Sequence, residues 1–316
     1  MRRGAAAPLV IFAICFACES SAPANQDPSQ AAAGDSDIEA KAASNAAGEL
    51  VTAPAGMVHI PGGRTRIGSD DGFADERPSF EADVAPFYLD VHPVTVGAFA
   101  RFVEATGYRT DAERFGDAAV YDFTTGGWLL VAGANWRAPL GPDKPRAEAD
   151  HPVTQVSWND ANAYARWAEK RLPTEIEWEH AARGATDDRS EYAWGDSLVM
   201  GGKYQANTWQ GTFPDRNTGD DGHLATSPVG TYGVTPLGLY DMGGNVWEWT
   251  DSWFRPYADR DAPFRPTGQS EKVQRGGSFL CHPSYCHGYR VSARSHSTPE
   301  TALYHTGFRL ALDAPR

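Results

Sequence analysis

Gly276-Gly277-Ser278-Phe279-Leu280-Cys281-His282-Pro283-Ser284-Tyr285-Cys286 carries two of the chain's four cysteines, and how it is read decides the rest. The other two, Cys15 and Cys18, lie in an apolar leader, so the body holds a single pair of thiols. The two cysteines are five positions apart, a step that would span roughly 17 Å if extended, too far for a shared bond or ligand. The sulfurs can act together only across a turn, and His282-Pro283-Ser284-Tyr285 supplies one, with proline at its second position. One reading is a structural disulfide, which suits an exported protein. A loop this short, however, removes little entropy from the unfolded chain. The other reading is a reactive dithiol or soft-metal seat. Facing thiolates suit Cu(I). Arg275, Arg290 and Arg294 are near enough in sequence to lower the thiol pKa values. Gly276 and Gly277 allow close backbone approach, and His282 and His287 flank the pair as candidate extra ligands. Spacing alone leaves both readings open.

Moving outward, 316 residues at 41% hydrophobic and 22% charged provide for one large globular domain or two small ones. A net charge of −13 argues against nucleic acid as a partner, because phosphate recognition needs a basic face. Residues 1–22 read as a signal peptide or lipoprotein leader. Arg2 and Arg3 precede the apolar run Ala5–Ala17, which is too short to span a bilayer comfortably. Ser20-Ser21-Ala22 offers a cleavage site, with Cys18 as the alternative, lipidated end. Residues 23–54, rich in small and polar types, cannot offset their ordering entropy by burial and read as a flexible linker. The folded body is expected over 55–314. No later run reaches about 18 apolar residues, so membrane association is expected only through an anchor at Cys18. The protein is expected to be exported, to a periplasmic or other extracytoplasmic space.

The body is loop-rich, with 32 Gly and 22 Pro in the chain, while 10 Trp, 14 Phe and 12 Tyr supply core mass. Three helices are predicted: Val96–Glu104 ahead of Gly107, one opening at Ser157 with Asp160 three residues on, and one opening at Thr174 with Glu177. Strands are predicted at Met57–Ile60, Phe87–Leu89, Lys272–Arg275 and Gly307–Leu312. The mixture is α+β with low regular content.

The block Gly276–Ser295 resembles the active-site stretch of the formylglycine-generating enzymes, the sulfatase-modifying factor family. Other segments agree in order: Met57–Gly63 with Ile67-Gly68-Ser69, His151–Trp158, Lys170–Glu175, Gly238–Trp249 and Gly307-Phe308-Arg309. The resemblance covers essentially all of residues 55–313 and implies a single domain of the C-type-lectin-like fold. It implies oxidation, with O2, of a cysteine in a Cys-x-Pro-x-Arg motif of an unfolded sulfatase to Cα-formylglycine, with copper(I) held by Cys281 and Cys286. Ser278 and Trp158 fall where the family lines its oxygen pocket; the plainer readings are a turn hydroxyl and a core aromatic. The family also binds structural calcium. Asn207, Thr208, Asp221 and His223 match one site and Asp241, Gly244, Val246 and Glu248 the other, with oxygen ligands on loops as calcium requires.

Some departures from the family pattern stand out. Ala165, Val291 and Leu310 stand where some members carry cross-linking cysteines, and Gly288 replaces a bulkier residue, which would loosen the pocket rim. A non-catalytic lectin-like binding module is the competing reading. An iron-dependent sulfoxide synthase of the same fold is disfavoured by nine scattered histidines.

Overall fold

Side-chain capping sets where the helices begin. Thr95 accepts the Ala98 N–H at 3.1 Å ahead of α1 (Val96–Thr106). Thr110, Ser157 and Thr174 close capping boxes with Glu113, Asp160 and Glu177 ahead of α2 (Asp111–Phe115), α3 (Trp158–Trp167) and α4 (Glu175–Ala182). Gly107 and Gly116, in the left-handed region, end α1 and α2. The boxes at Ser157 and Thr174 are those read from the sequence. Helix α2 is not, because a single turn and a half is too short to display a periodic stripe. The computed structural model describes residues 53–315 and the backbone of Ala43–Ser44 and Leu50–Val51. The expected leader and nearly all of the expected linker lie outside the described residues.

Short sheets frame these helices. Phe87–Asp90 is the central strand of three, flanked antiparallel by Met57–Ile60 and Ala311–Asp313, so the two ends of the body meet on one sheet. A second sheet runs in the order Arg294–Ser297, Lys272–Arg275, Trp247–Trp253, Thr306–Gly307, the last pair parallel. The single strand expected at Gly307–Leu312 is therefore two. Between them Phe308 and Leu310 turn into the core, their carbonyls accepting from Val94 and Asp90 N–H at 2.8 and 2.9 Å. Hairpins at Gly63–Ile67/Phe80–Val84 and Asp117–Asp122/Gly127–Ala132 complete the frame.

Aromatic mass fills the interior, as the composition requires. Phe99, Phe102, Tyr164, Trp249 and Phe308 form one cluster with Ala165 and Leu310. Trp178, Phe87, Leu239 and Val291 belong to a second. Ala165, Leu310 and Val291 are thus apolar packing sites.

The α3 cap contains a buried acid. Asp160 accepts from Ser157 N–H at 2.9 Å, Asp111 N–H at 3.0 Å and the Tyr108 hydroxyl at 3.0 Å. Burial, with the charge of Asp111 adding to it, pushes its carboxyl up to about 6 from 3.8. The folded state therefore holds a proton that the unfolded chain has released. This stabilisation is full below about pH 4 and is lost as pH rises through about 6. In urea titrations the stability of the parent relative to Asp160→Asn should fall by on the order of 2 kcal/mol between pH 4 and pH 7. A difference that stays constant with pH would exclude the buried protonated acid.

Candidate active site around the Cys281–Cys286 pair

Gly276 and Gly277 carry the chain out of the Lys272–Arg275 strand at φ of 93° and 69°. A Cβ on Gly277 would meet the Tyr289 nitrogen at 2.5 Å, so glycine alone lets the two backbones pass. The loop then folds back on itself. Cys281 N–H donates to Ser278 O at 2.9 Å, and His282 O accepts from Tyr285, Cys286 and His287 N–H at 2.8, 3.1 and 3.2 Å. This is the turn expected at His282–Tyr285, and it brings the sulfurs together: Cys281 and Cys286 form a disulfide with Cα atoms 5.5 Å apart. Cys281 is buried and Cys286 half-buried, so the pair is approached from the Cys286 side.

Ser278 lies against the pair. It is fully buried, its N–H points at Cys281 Sγ (3.4 Å), and its hydroxyl oxygen lies 4.0 Å from the same sulfur. That oxygen also lies 3.0 Å from His305 Nδ1 and accepts from Leu280 N–H at 3.3 Å. Burial pushes the His305 imidazole down to about 3, leaving it neutral at ordinary pH. Trp128 stacks on it with ring centroids 4.9 Å apart. Sequence reading did not single out His305, because a lone histidine before Thr306-Gly307 has no ligand spacing to mark it.

Trp158 does not join the site. Its indole N–H donates to Thr250 O at 3.0 Å, the Lys272 ammonium lies 4.1 Å from its ring, and it packs on the core around Phe99 and Trp249. The register explains why. The thiol loop leaves the strand pair at Glu248↔Arg275, whereas Trp158 sits near its opposite end, where Trp253 pairs with Lys272. The tryptophan clustered with Cys281 is Trp247, walled by Tyr192 and Tyr289. Gly288 is also corrected. A Cβ there would meet Trp247 Cη2 at 2.6 Å and Cys281 Sγ at 3.0 Å, so the glycine closes Trp247 onto the site and does not loosen the rim.

The flanking cations are committed elsewhere. Arg275 pairs with Glu175 and Glu179, Arg290 with Glu76 and Arg294 with Glu175, which offsets the charge expected to act on the thiols. His282 Nδ1 accepts from Ser284 N–H within the turn, and His287 Nε2 lies 3.3 Å from Glu191, so neither imidazole faces the sulfurs through these nitrogens. On the open side Tyr285 stacks on Phe213 with centroids 4.2 Å apart. With Phe123 and Trp128 it leaves an exposed aromatic rim beside Cys286.

The two sets of expected calcium ligands sit behind the thiol loop. Asn207 Oδ1 and Asp241 Oδ1 are both buried without a hydrogen-bond partner. Asp221 gathers N–H groups from Thr208 (2.9 Å) and His223 (3.0 Å), which folds the first set together. In the second set burial, with the charge of Glu248 adding, pushes Asp241 up to about 7. Glu248 is more committed than expected: Arg309 grips both its oxygens at 2.7 Å and Trp178 Nε1 donates at 2.8 Å. Gly244 takes φ 79°, and a Cβ there would meet Asn207 O at 2.5 Å, so the two sets interlock. They also brace the site. Gly244 N–H donates to Gly276 O (2.8 Å), Phe279 N–H to Asn245 O (3.0 Å) and Trp209 N–H to Cys281 O (3.1 Å).

Replacing Gly288 by alanine should displace the Trp247 ring. The expected result is a loss of roughly 1–3 kcal/mol of unfolding free energy and a changed near-ultraviolet circular dichroism band. An unchanged band and midpoint would show that the ring does not rest there.

Residues 43–314 match the sulfatase-modifying factor enzyme 1-like domain family. The formylglycine-generating enzyme of Streptomyces coelicolor is 46% identical over 284 residues, covering 82% of this chain and 90% of the relative. The inactive C-alpha-formylglycine-generating enzyme 2 of Mus musculus is 40% identical over 280 residues, with 82% and 86% covered. Among solved structures, PvdO from Pseudomonas aeruginosa shares the fold at a TM-score of 0.62 and 24% identity, over 82% of this chain and 94% of that one. A match that runs through both ends of the described body and includes the paired cysteines has one reading: the chain belongs to the sulfatase-modifying factor enzyme 1-like family.

Proposed function

We propose that this chain is a formylglycine-generating enzyme, oxidising the cysteine of a Cys-x-Pro-x-Arg motif in an unfolded sulfatase to Cα-formylglycine with O2. The observation that carries the reading is the convergence of both thiol sulfurs with the buried Ser278 hydroxyl on one turn. Relatives named formylglycine-generating enzyme, 41–46% identical over most of the chain, support it. Because an inactive relative is nearly as similar, overall identity does not decide activity, and the weight falls on the cysteine pair.

In this reading Cys281 and Cys286 work reduced, as the holders of Cu(I). Two convergent sulfurs, one buried and one reachable, fit a soft monovalent ion, which prefers thiolate to oxygen or nitrogen. Bound there, copper would supply O2 binding and one-electron chemistry. The protein's own contribution is positional. Ser278 offers an N–H and a hydroxyl to the Cys281 sulfur, and Trp247, Tyr192 and Tyr289 exclude water from its buried side. The rim of Tyr285, Phe123 and Trp128 suits the proline of an extended peptide. Converting the cysteine CH2–SH to an aldehyde removes two electrons and releases the sulfur as sulfide, while reducing O2 to the water level takes four. Two external thiols, leaving as a disulfide, must therefore supply the other two, and the same reductant would open the Cys281–Cys286 bond. The reading includes export, which the leader-like composition of residues 1–22 supports, with Cys18 as the alternative lipid attachment point.

The reading includes calcium on Asn207, Thr208, Asp221 and His223 and on Asp241, Gly244, Val246 and Glu248. Buried oxygens lacking any donor, at Asn207 and Asp241, are what an oxygen-seeking cation satisfies. Glu248 remains compatible, since a carboxylate oxygen accepts more than once and its Oε1 takes one donor.

Two measurements test these assignments. Either Cys281→Ser or Cys286→Ser should abolish conversion of a Cys-x-Pro-x-Arg peptide and binding of one Cu(I) per chain, with the fold retained; turnover at the parent rate in both would end the proposal. Calcium at about a hundredfold its Kd should raise stability by about 2.7 kcal/mol, and Asp241→Asn should reduce the gain. Identical melting with calcium and with chelator would remove calcium from the account.

A further inference from the structure

Hydrogen-bond counting at Ser278 leaves one assignment to make. A serine oxygen has two acceptor lone pairs and one proton. Leu280 N–H occupies one lone pair at 3.3 Å. His305 Nδ1, 3.0 Å away, either receives the serine proton or donates to the second lone pair. Neutral imidazole carries one N–H. On Nε2 that N–H would be sealed in the interior with nothing to donate to, because Nε2 is buried without a partner. On Nδ1 it leaves Nε2 as a bare acceptor, which interiors tolerate better than a bare donor. With Nδ1 donating, both lone pairs of Ser278 are filled, and its proton has Cys281 Sγ, 4.0 Å away, as its remaining neighbour. Trp128 stacks on the ring at an interplanar angle of 29°, and the backbone N–H of Trp247 donates to the backbone carbonyl of His305 at 2.9 Å, fixing the main chain from which the ring projects.

We infer that His305 is a positioning residue: by donating from Nδ1 to Ser278 it commits the serine hydroxyl to the Cys281 sulfur and so favours the open pair over the disulfide. The inference rests on the reading that the pair works reduced. A hydroxyl donates more strongly to a charged sulfur than to a neutral one, so the stabilisation falls on the thiolate and not on the disulfide. Opening the bond to a Cys281 thiolate and a Cys286 thiol takes two electrons and one proton. Two glutathione thiols supply them and leave as glutathione disulfide, with the second proton released to solvent.

The test equilibrates the full chain in glutathione buffers and counts free thiols by alkylation and mass spectrometry. His305→Leu should lower the equilibrium constant for reduction about tenfold, a potential about 30 mV more negative for this two-electron couple. Ser278→Ala should do the same and the double variant no more, since both act through one hydrogen bond. His305→Gln, which keeps a side-chain N–H donor, should stay near the parent. In the parent, ¹⁵N resonances of labelled histidine should show Nδ1 protonated and Nε2 bare. A proton on Nε2, an unshifted His305→Leu equilibrium or additive single effects would each overturn the inference. The resonance measurement needs no variant, so it decides even if His305→Leu does not fold. A parent that fails to convert peptide while showing Nδ1–H would refute the proposed function and leave this tautomer standing.

Discussion

Arg275 lies fully buried at the point where the strand Lys272–Arg275 becomes the thiol loop, and the placement of that loop depends on how its charge is met. Its guanidinium reaches Glu175 and Glu179 at 2.7 Å each and Val291 O at 2.6 Å. Glu175 is shared with Arg294 and the Tyr257 hydroxyl, and Glu179 with Arg183 and the Gly68 N–H. Burial alone would raise the Glu179 pKa; Arg275 and Arg183 outweigh it and hold the carboxylate below its ordinary range. Such a network is not a free source of stability, because desolvating each ion costs several kcal/mol. Its value lies in register. Breaking one partnership would leave an unpaired charge in the interior, at about 3–5 kcal/mol, so helix α4 and the strand have essentially one way to meet. Gly276 therefore starts from a defined position and direction.

A second constraint acts from the other side. The loops of Asn207 and Gly243–Asn245 hold each other through Asn245 N–H to Asn207 O at 2.8 Å, and each also hydrogen-bonds the thiol loop. Whatever orders those loops, including a cation on their unsatisfied oxygens, therefore stiffens the frame in which Ser278 meets Cys281. The site is a short loop clamped between an ionic network and an oxygen-rich one, with an aromatic rim at its open face.

Much of this was legible in the sequence, for identifiable reasons. Capping boxes at Ser157 and Thr174 are local chemistry, and local chemistry survives folding. The turn between the cysteines was readable because Pro283 restricts it and because two sulfurs so close in the chain can meet in few ways. What was not legible depended on long-range register. Nothing local separates Trp158 from Trp247 as the ring nearest the thiols; the pairing of Glu248 with Arg275 does so, and that pairing joins residues 27 apart in the numbering. His305 reaches Ser278 from the same distance. Gly288 was misread because the effect of a missing side chain depends on which neighbour moves into the space, here Trp247.

The sheet that joins the two ends of the body also has a mechanical consequence. Met57–Ile60 and Ala311–Asp313 both run antiparallel to Phe87–Asp90, so they run the same way as each other on its two sides. The chain enters at the Asp90 end of that strand and leaves at the Phe87 end. Tension between the termini would thus load both ladders in shear, straining their rungs together and not unzipping them one by one. Resistance to pulling is then governed by the unfolding rate of this small sheet.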